Sequence, residues 1–178
     1  MINSNKPVLG FAAWSGTGKT TLLSKMIPLL RESGIRIAMI KHAHHKFDVD
    51  KPCKDSFELR KAGASQMLIC SSKRVALMTD FDDEQEPLLQ DQINRIDDAA
   101  CDLILVEGFK HESFPKIELH RPAIGKPLMY QDDKDIIALA SDANQTLEPT
   151  LPLLDLNDPD AIAGFILKWL TEQGEQKS

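Results

Sequence analysis

The alternation of apolar and polar positions divides the chain into short β-like runs separated by helical stretches. Residues 8–13, VLGFAA, form an apolar run that predicts a strand, and the run stops at a glycine-rich turn. Beyond the turn, Leu22, Leu23, Met26, Ile27 and Leu30 recur at the spacing of one helix face. Pro28 removes a donor inside that helix, so a bend or an early tightening is expected there, and Gly34 ends it. Residues 35–40, IRIAMI, predict a second strand. A polar, histidine-rich loop follows, then a short helix near 55–62 closed by Gly63.

Two β-like runs, 66–70 and 74–79, are separated by a short polar link, which is hairpin spacing. SSKR lacks the Asn-Gly pair of the tightest turns. An acidic link precedes a helix with Leu89, Ile93 and Ile96 on its inner stripe. CDLILVEGF is a continuous apolar run of the kind buried on both faces of a parallel sheet. KIELHR predicts a strand over 116–121, residues 122–134 read as loop, and IIALA predicts a buried strand over 136–140. Ile162, Phe165, Ile166, Trp169 and Leu170 define a last amphipathic helix. Strands alternating with helices predict a single α/β domain with a mostly parallel sheet. The hairpin near residue 70 is expected to make that sheet mixed.

Composition changes this picture only by exclusion. A chain of 178 residues, 42% hydrophobic, can bury one sizeable core. A net charge of -6 argues against a broad nucleic-acid footprint but not against one phosphate group in a local nest. Apolar stretches fall short of a membrane span, and no hydrophobic signal segment follows MINSNKPV. Cys53, Cys70 and Cys101 show no C-x-x-C spacing and read as free thiols in a reducing compartment, hence a cytoplasmic protein.

The chemistry concentrates in the glycine turn. Residues 13–20, AWSGTGKT, match the P-loop pattern G-x-x-x-x-G-K-[ST] except for Ala13 at the first glycine. Gly16 and Gly18 still supply two positions where the backbone can take positive φ or pass close to phosphate. The amides from Ser15 through Thr17 to Thr21 are therefore expected to form an anion nest at the helix start. Lys19 is expected to bridge the β- and γ-phosphates, Thr20 to reach Mg²⁺ with its hydroxyl, and Thr21 to meet the α-phosphate.

A P-loop needs a carboxylate near the metal at the end of a neighbouring strand. Asp102 opens DLILV and Glu107 closes it. Ligands gather at the carboxyl ends of parallel strands, so Glu107 is the expected contact to metal-bound or attacking water. Asp102 falls roughly 17 Å away at strand rise. The loop after strand two offers Lys41, His42, His44 and His45 to anions, and Asp48 or Asp50 to Mg²⁺. A transition-metal centre from His42, His44 and Cys53 is possible in composition, but the spacing fits no closed zinc motif. For a guanine base the familiar Asn-Lys-x-Asp is absent. Asp142, after IIALA, is the better-placed carboxylate, Asn157 or Asp158 the second choice, and NRID at 94–97 a weak match.

FAAWSGTGKTTLL, IKHAHHKFDVDKPCKDSFELRKAGA, DLILVEGFKHE and IIALASD together resemble the molybdopterin-guanine dinucleotide biosynthesis adapter family. These are GTP-binding companions of the guanylyltransferase in bacterial molybdenum cofactor synthesis, and the resemblance runs over about residues 7–172. It implies a P-loop NTPase of the class that includes dethiobiotin synthetase and the nickel-insertion GTPases. It also implies GTP with Mg²⁺, weak hydrolysis, and a homodimer through an extended mixed sheet. Association with the guanylyltransferase and the molybdenum-insertion enzyme is implied as well. Carried over by position, it implies phosphate binding by Gly16, Thr17, Gly18, Lys19, Thr20 and Thr21, and a metal-side role for Glu107. Two other classes use the same parts. A small-metabolite kinase or ligase would hold its acceptor between the histidine loop and Glu107, and a metallochaperone GTPase would bind stoichiometric nickel or zinc.

Overall fold

The apolar run at 8–13 becomes strand β1 (Val8–Ala13), and the periodic stretch after the turn becomes helix α1 (Lys19–Glu32). The computed structural model describes residues 2–43, 47–143, 147 and 149–175. They fall into two compact units, Met1–His42 with Leu88–Ser178, and Ala43–Pro87.

The larger unit adds β2 (Ile37–Lys41), α3 (Leu89–Ile93), β5 (Leu103–Glu107), β6 (Lys116–His120), β7 (Ile136–Ser141), β8 (Leu153–Asp155) and α4 (Pro159–Glu175). Its six strands lie in the order β2-β5-β1-β6-β7-β8, and every pairing is parallel. From β1 the chain crosses over β5 to β2, then returns past β1 to β6. The strand order therefore reverses beside the carboxyl end of β1, where open α/β sheets bind ligands.

Successive side chains alternate between faces. Leu9, Phe11, Leu103, Leu105, Ile117 and Leu119 pack against Leu22, Met26 and Leu30 of α1 and Ile162, Ile166 and Trp169 of α4. On the opposite face Val8, Ile104 and Val106 pack with Leu89 and Ile93 of α3 and with Phe109 and Phe114. Gly10 makes this possible, because a Cβ there would stand 2.5 Å from the Phe114 ring.

The differences from expectation have local causes. α1 runs through Pro28, which lies on the exposed side, where water can take the carbonyl the proline leaves unbonded. Gly34, at φ +86°, closes α1, and the Ile35 amide donates back to Leu30 O at 3.1 Å. That bond keeps Ile35 out of the sheet, so β2 begins at Ile37 and extends to Lys41. β8 went unrecognised because three residues are too few to show a period.

The smaller unit holds α2 (Asp55–Lys61) and the antiparallel pair β3 (Gln66–Cys70) and β4 (Val75–Thr79). The Ser71 amide donates to Arg74 O at 2.8 Å and closes the hairpin turn. The hairpin makes its own two-stranded sheet, so it does not mix the parallel one. Arg60 is the hub of this unit. Its guanidinium meets Asp48 at 2.7 Å, Asp80 at 3.0 Å and Asp50 at 3.8 Å.

Candidate functional site

The turn between β1 and α1 is wound tightly. The Thr17 hydroxyl donates to Trp14 O at 2.7 Å and its amide to the same oxygen at 3.3 Å, with Thr17 buried beneath. Gly16 at φ +84° and Gly18 at φ +94° hold the left-handed conformations that other residues adopt at a cost. Ala13 is the last residue of β1 and lies outside that region, which explains why alanine is tolerated at the first motif position. The first intrahelical bond of α1 runs from the Leu22 amide to Gly18 O. The amides of Lys19, Thr20 and Thr21 therefore have no partner in the preceding turn and suit an anion. Ser15, Gly16, Gly18, Thr20 and Thr21 are exposed.

Glu107 stands at the carboxyl end of β5, in register with Phe11 of β1 and Lys41 of β2. Its carboxylate, largely buried, pairs with Lys19 at 3.6 Å and with Lys41 at 3.1 Å. The fold thus brings Lys19 and Glu107 together and adds a second lysine. The backbone turns sharply after Glu107, through Gly108 at φ +100° and Phe109 at φ +52°. A Cβ on Gly108 would lie 2.6 Å from His42 Cβ. His42 stacks on Phe109 with ring centroids 4.9 Å apart, and its amide donates to Glu107 O.

Asp102 sits at the amino end of the same strand and takes the Arg36 guanidinium in a fork, which holds its carboxyl well below the usual carboxylate range. Asp97 of NRID caps the short turn before β5, and Asn94 accepts from Gln90, so that tetrapeptide belongs to the amino edge of the sheet. Asp48 and Asp50 belong to the smaller unit and face Arg60. His44 and His45 lie outside the described residues, and Cys53 is exposed. Among the described residues, no three His, Cys, Asp or Glu side chains converge as a metal cage.

Asp142 follows β7, and its Oδ2 accepts from Arg121 Nη1 at 2.7 Å. Asn157, after β8, accepts from Arg121 Nη2 at 3.0 Å. Asp158 instead accepts from the Ala161 amide at the start of α4. Arg121 also donates from Nε to Thr17 O at 2.9 Å. Sequence reasoning overlooked Arg121, although its place at the end of KIELHR, on the carboxyl edge, was a usable signal.

A buried polar row on β6 was also missed. Lys116, Glu118 and His120 alternate on one face and are almost fully enclosed. Lys116 Nζ meets Asp133 at 2.8 Å, and Glu118 accepts from the Met129 and Tyr130 amides, each at 2.8 Å. Burial raises the Glu118 carboxyl, and the two amides oppose the shift. These bonds fasten the 122–135 segment over the sheet, and Trp14 Nε1 fastens it to the P-loop through Pro127 O at 3.0 Å.

The profile of the family described as Molybdopterin guanine dinucleotide synthesis protein B (MobB) matches residues 8–142. The molybdopterin-guanine dinucleotide biosynthesis adapter protein of Escherichia coli K12 is 53% identical over 168 residues, covering 94% of this chain and 95% of that one. The adapter protein of Haemophilus influenzae is 44% identical over 170 residues, covering 95% and 92%. Among solved structures, a molybdopterin-guanine biosynthesis protein B superposes with a TM-score of 0.69 at 26% identity, covering 91% of this chain and 99% of that one. A MobB homologue from Bacillus stearothermophilus superposes with a TM-score of 0.68 at 21% identity, covering 93% and 98%.

Proposed function

Because the chain belongs to the molybdopterin guanine dinucleotide synthesis protein B family, we propose that it is an adapter in molybdopterin guanine dinucleotide synthesis that works by binding GTP with Mg²⁺. The observation that carries the nucleotide reading is the juxtaposition of the positive-φ glycine nest, Lys19 and Glu107 at the point where strand order reverses. The residues fit the group. Amides of residues 15–21 and the Lys19 ammonium receive phosphate oxygens, and the Thr20 hydroxyl serves the metal side. When bound, Mg²⁺ would offset charge on the β- and γ-phosphate oxygens. Lys19 then exchanges its carboxylate partner for phosphate, and Glu107, still beside Lys41, is free to accept a hydrogen bond from water. Asp142 takes the base side, where a carboxylate accepts from the N1 and N2 hydrogens of guanine and meets a bare acceptor on adenine.

Hydrolysis by such a site is slow, because the reacting phosphate lacks a cation supplied by a partner, and switch-type P-loop proteins wait for one. The hairpin bears on assembly. The β3–β4 hairpin leaves Leu68, Ile69, Val75 and Leu77 exposed. A lone two-stranded hairpin with open edges needs a cover, which a second copy of this chain supplies in a two-fold dimer. Among the described residues no helix is long and apolar enough to cross a membrane. From the family and the exposed hairpin we infer a homodimer that engages the guanylyltransferase and the molybdenum-insertion enzyme, and from the free thiols a cytoplasmic location.

Calorimetric titration of GTP and ATP with Mg²⁺, with co-purification of both enzymes in the presence and absence of a non-hydrolysable GTP analogue, tests this reading. Preference for GTP and nucleotide-dependent capture of either enzyme are expected. Equal affinity for the two nucleotides refutes the guanine assignment. Capture of neither enzyme, with rapid phosphoryl transfer to a small metabolite, replaces the adapter with a kinase.

A further inference from the structure

Strands β1, β6, β7 and β8 lie side by side, and one side chain joins the segments that follow their carboxyl ends. Arg121, the first residue after β6, donates to Thr17 O in the P-loop, to Asp142 after β7 and to Asn157 after β8, at 2.9, 2.7 and 3.0 Å. Its guanidinium lies against Gly18, whose Cβ, if present, would stand 4.0 Å from both Nε and Nη2. Each of its three nitrogens serves a different segment of the chain. A planar fork offers its donors from three separate nitrogens, whereas a lysine ammonium, which also has three donors, offers them all from one point and reaches such separated acceptors poorly.

Asp142 and Asn157 reside on separate loops, and each would otherwise have to be ordered by the ligand, which weakens binding. The fork orders both beforehand. It occupies one oxygen of Asp142 and, among the described residues, leaves the other without a donor. It also places a positive charge beside a carboxylate that must sit near a polyanion. The bond to Thr17 O ties the pair to the backbone that wraps the phosphates.

We propose that Arg121 is a positioning residue that sets base selectivity, holding Asp142 and Asn157 for the nucleobase and registering them against the P-loop. The proposal rests on the reading of this edge as a GTP site.

Calorimetry with GTP, ATP and inorganic tripolyphosphate, each with Mg²⁺, separates base recognition from phosphate recognition. In Arg121→Lys, GTP affinity falls about tenfold while ATP and tripolyphosphate fall less than about threefold, the scale of one lost charged hydrogen bond at the base. Asn157→Ala, on the far arm of the fork, lowers the GTP-to-ATP ratio in the same direction. A purely structural role weakens all three ligands alike, and an unchanged GTP-to-ATP ratio in Arg121→Lys overturns the proposal. Should the parent protein bind GTP and ATP equally, the guanine reading has failed and the nucleoside increment decides. Arg121→Lys must then lower the affinity of either nucleotide relative to tripolyphosphate, and an unaltered increment refutes the role of Arg121. Thermal melts accompany each variant, and if Arg121→Ala does not fold, Arg121→Lys and Asn157→Ala carry the test.

Discussion

A carboxylate stands at each end of strand β5, Asp102 just before its first residue and Glu107 as its last, and the two are held in opposite ways. Asp102, at the amino end, receives the Arg36 amide, Nε and Nη2 at 2.7–2.9 Å, while Nη1 of the same arginine reaches Ala99 O. Glu107, at the carboxyl end, is approached by two lysines at 3.1–3.6 Å. A fork of directional donors fixes a carboxylate in place, as at Asp102. Lysines are mobile point charges, so the Glu107 cluster can exchange partners when a polyanion arrives. Distance and charge alone would rank Asp102 as the stronger ion pair. In the proposed reading, what separates the brace from the working site is the end of the strand each occupies and the freedom of the cations around it.

Removing the shared cation is expected to have the largest effect. Lys19→Ala should weaken GTP binding about 100-fold, toward the upper end for a hydrogen bond between charged groups, and abolish measurable turnover. Titration of the variant checks this, and parent-like affinity would show that the nest binds without its lysine. Glu107→Gln should act on the other side of the same pair. Turnover should fall about 10- to 100-fold, as for groups that orient metal-bound water, with GTP affinity much less affected. A hydrolysis rate equal to the parent's would reduce Glu107 to a holder of Lys19 and Lys41.

Gly108→Ala tests whether the sharp turn at the working end is needed. The left-handed backbone alone costs a side chain about 1–2 kcal/mol, and the new Cβ would meet His42. Denaturant unfolding should show a loss of at least that size. No loss would mean that His42 yields easily and that the turn is softer than its contacts suggest.

How much of this contrast was visible in the sequence depends on the scale of the signal. DLILVEG showed by its unbroken apolar run that it is an interior strand, and so placed Glu107 at the carboxyl edge of the sheet and Asp102 at the amino edge. The nest was legible because Gly16, Gly18 and Lys19 are adjacent in the chain. The place of Arg121 at the carboxyl edge was legible but its role was not, because its three acceptors come from residues 17, 142 and 157 and only parallel packing of β1, β6, β7 and β8 unites them. The Lys41 partnership with Glu107 depends on the register of β2 against β5, which no local pattern encodes. The buried row on β6 was hidden for a related reason. KIELHR alternates as a half-exposed strand would, and its charged residues are enclosed by a segment with no period of its own.

The smallest expected effect lies at the amino end of β5 and draws the comparison most sharply. Asp102→Asn removes the charge that Arg36 grips but leaves an oxygen able to accept one donor, so the variant should fold with a modestly lower melting temperature. The dependence on pH carries the diagnosis. Arg36 lowers the Asp102 carboxyl in the folded protein, so the folded state binds that proton less tightly than the unfolded chain. The stabilisation is therefore complete above the ordinary aspartate range and is lost as pH falls through the lowered folded-state value. The melting difference between parent and Asp102→Asn should hold constant at neutral pH and shrink once the pH drops below the ordinary aspartate range. GTP affinity and turnover should not change. A melting difference that grows on acidification would contradict the pairing with Arg36. A change in nucleotide affinity would show that the amino end of β5 also communicates with the site, and the division between brace and working end would no longer stand.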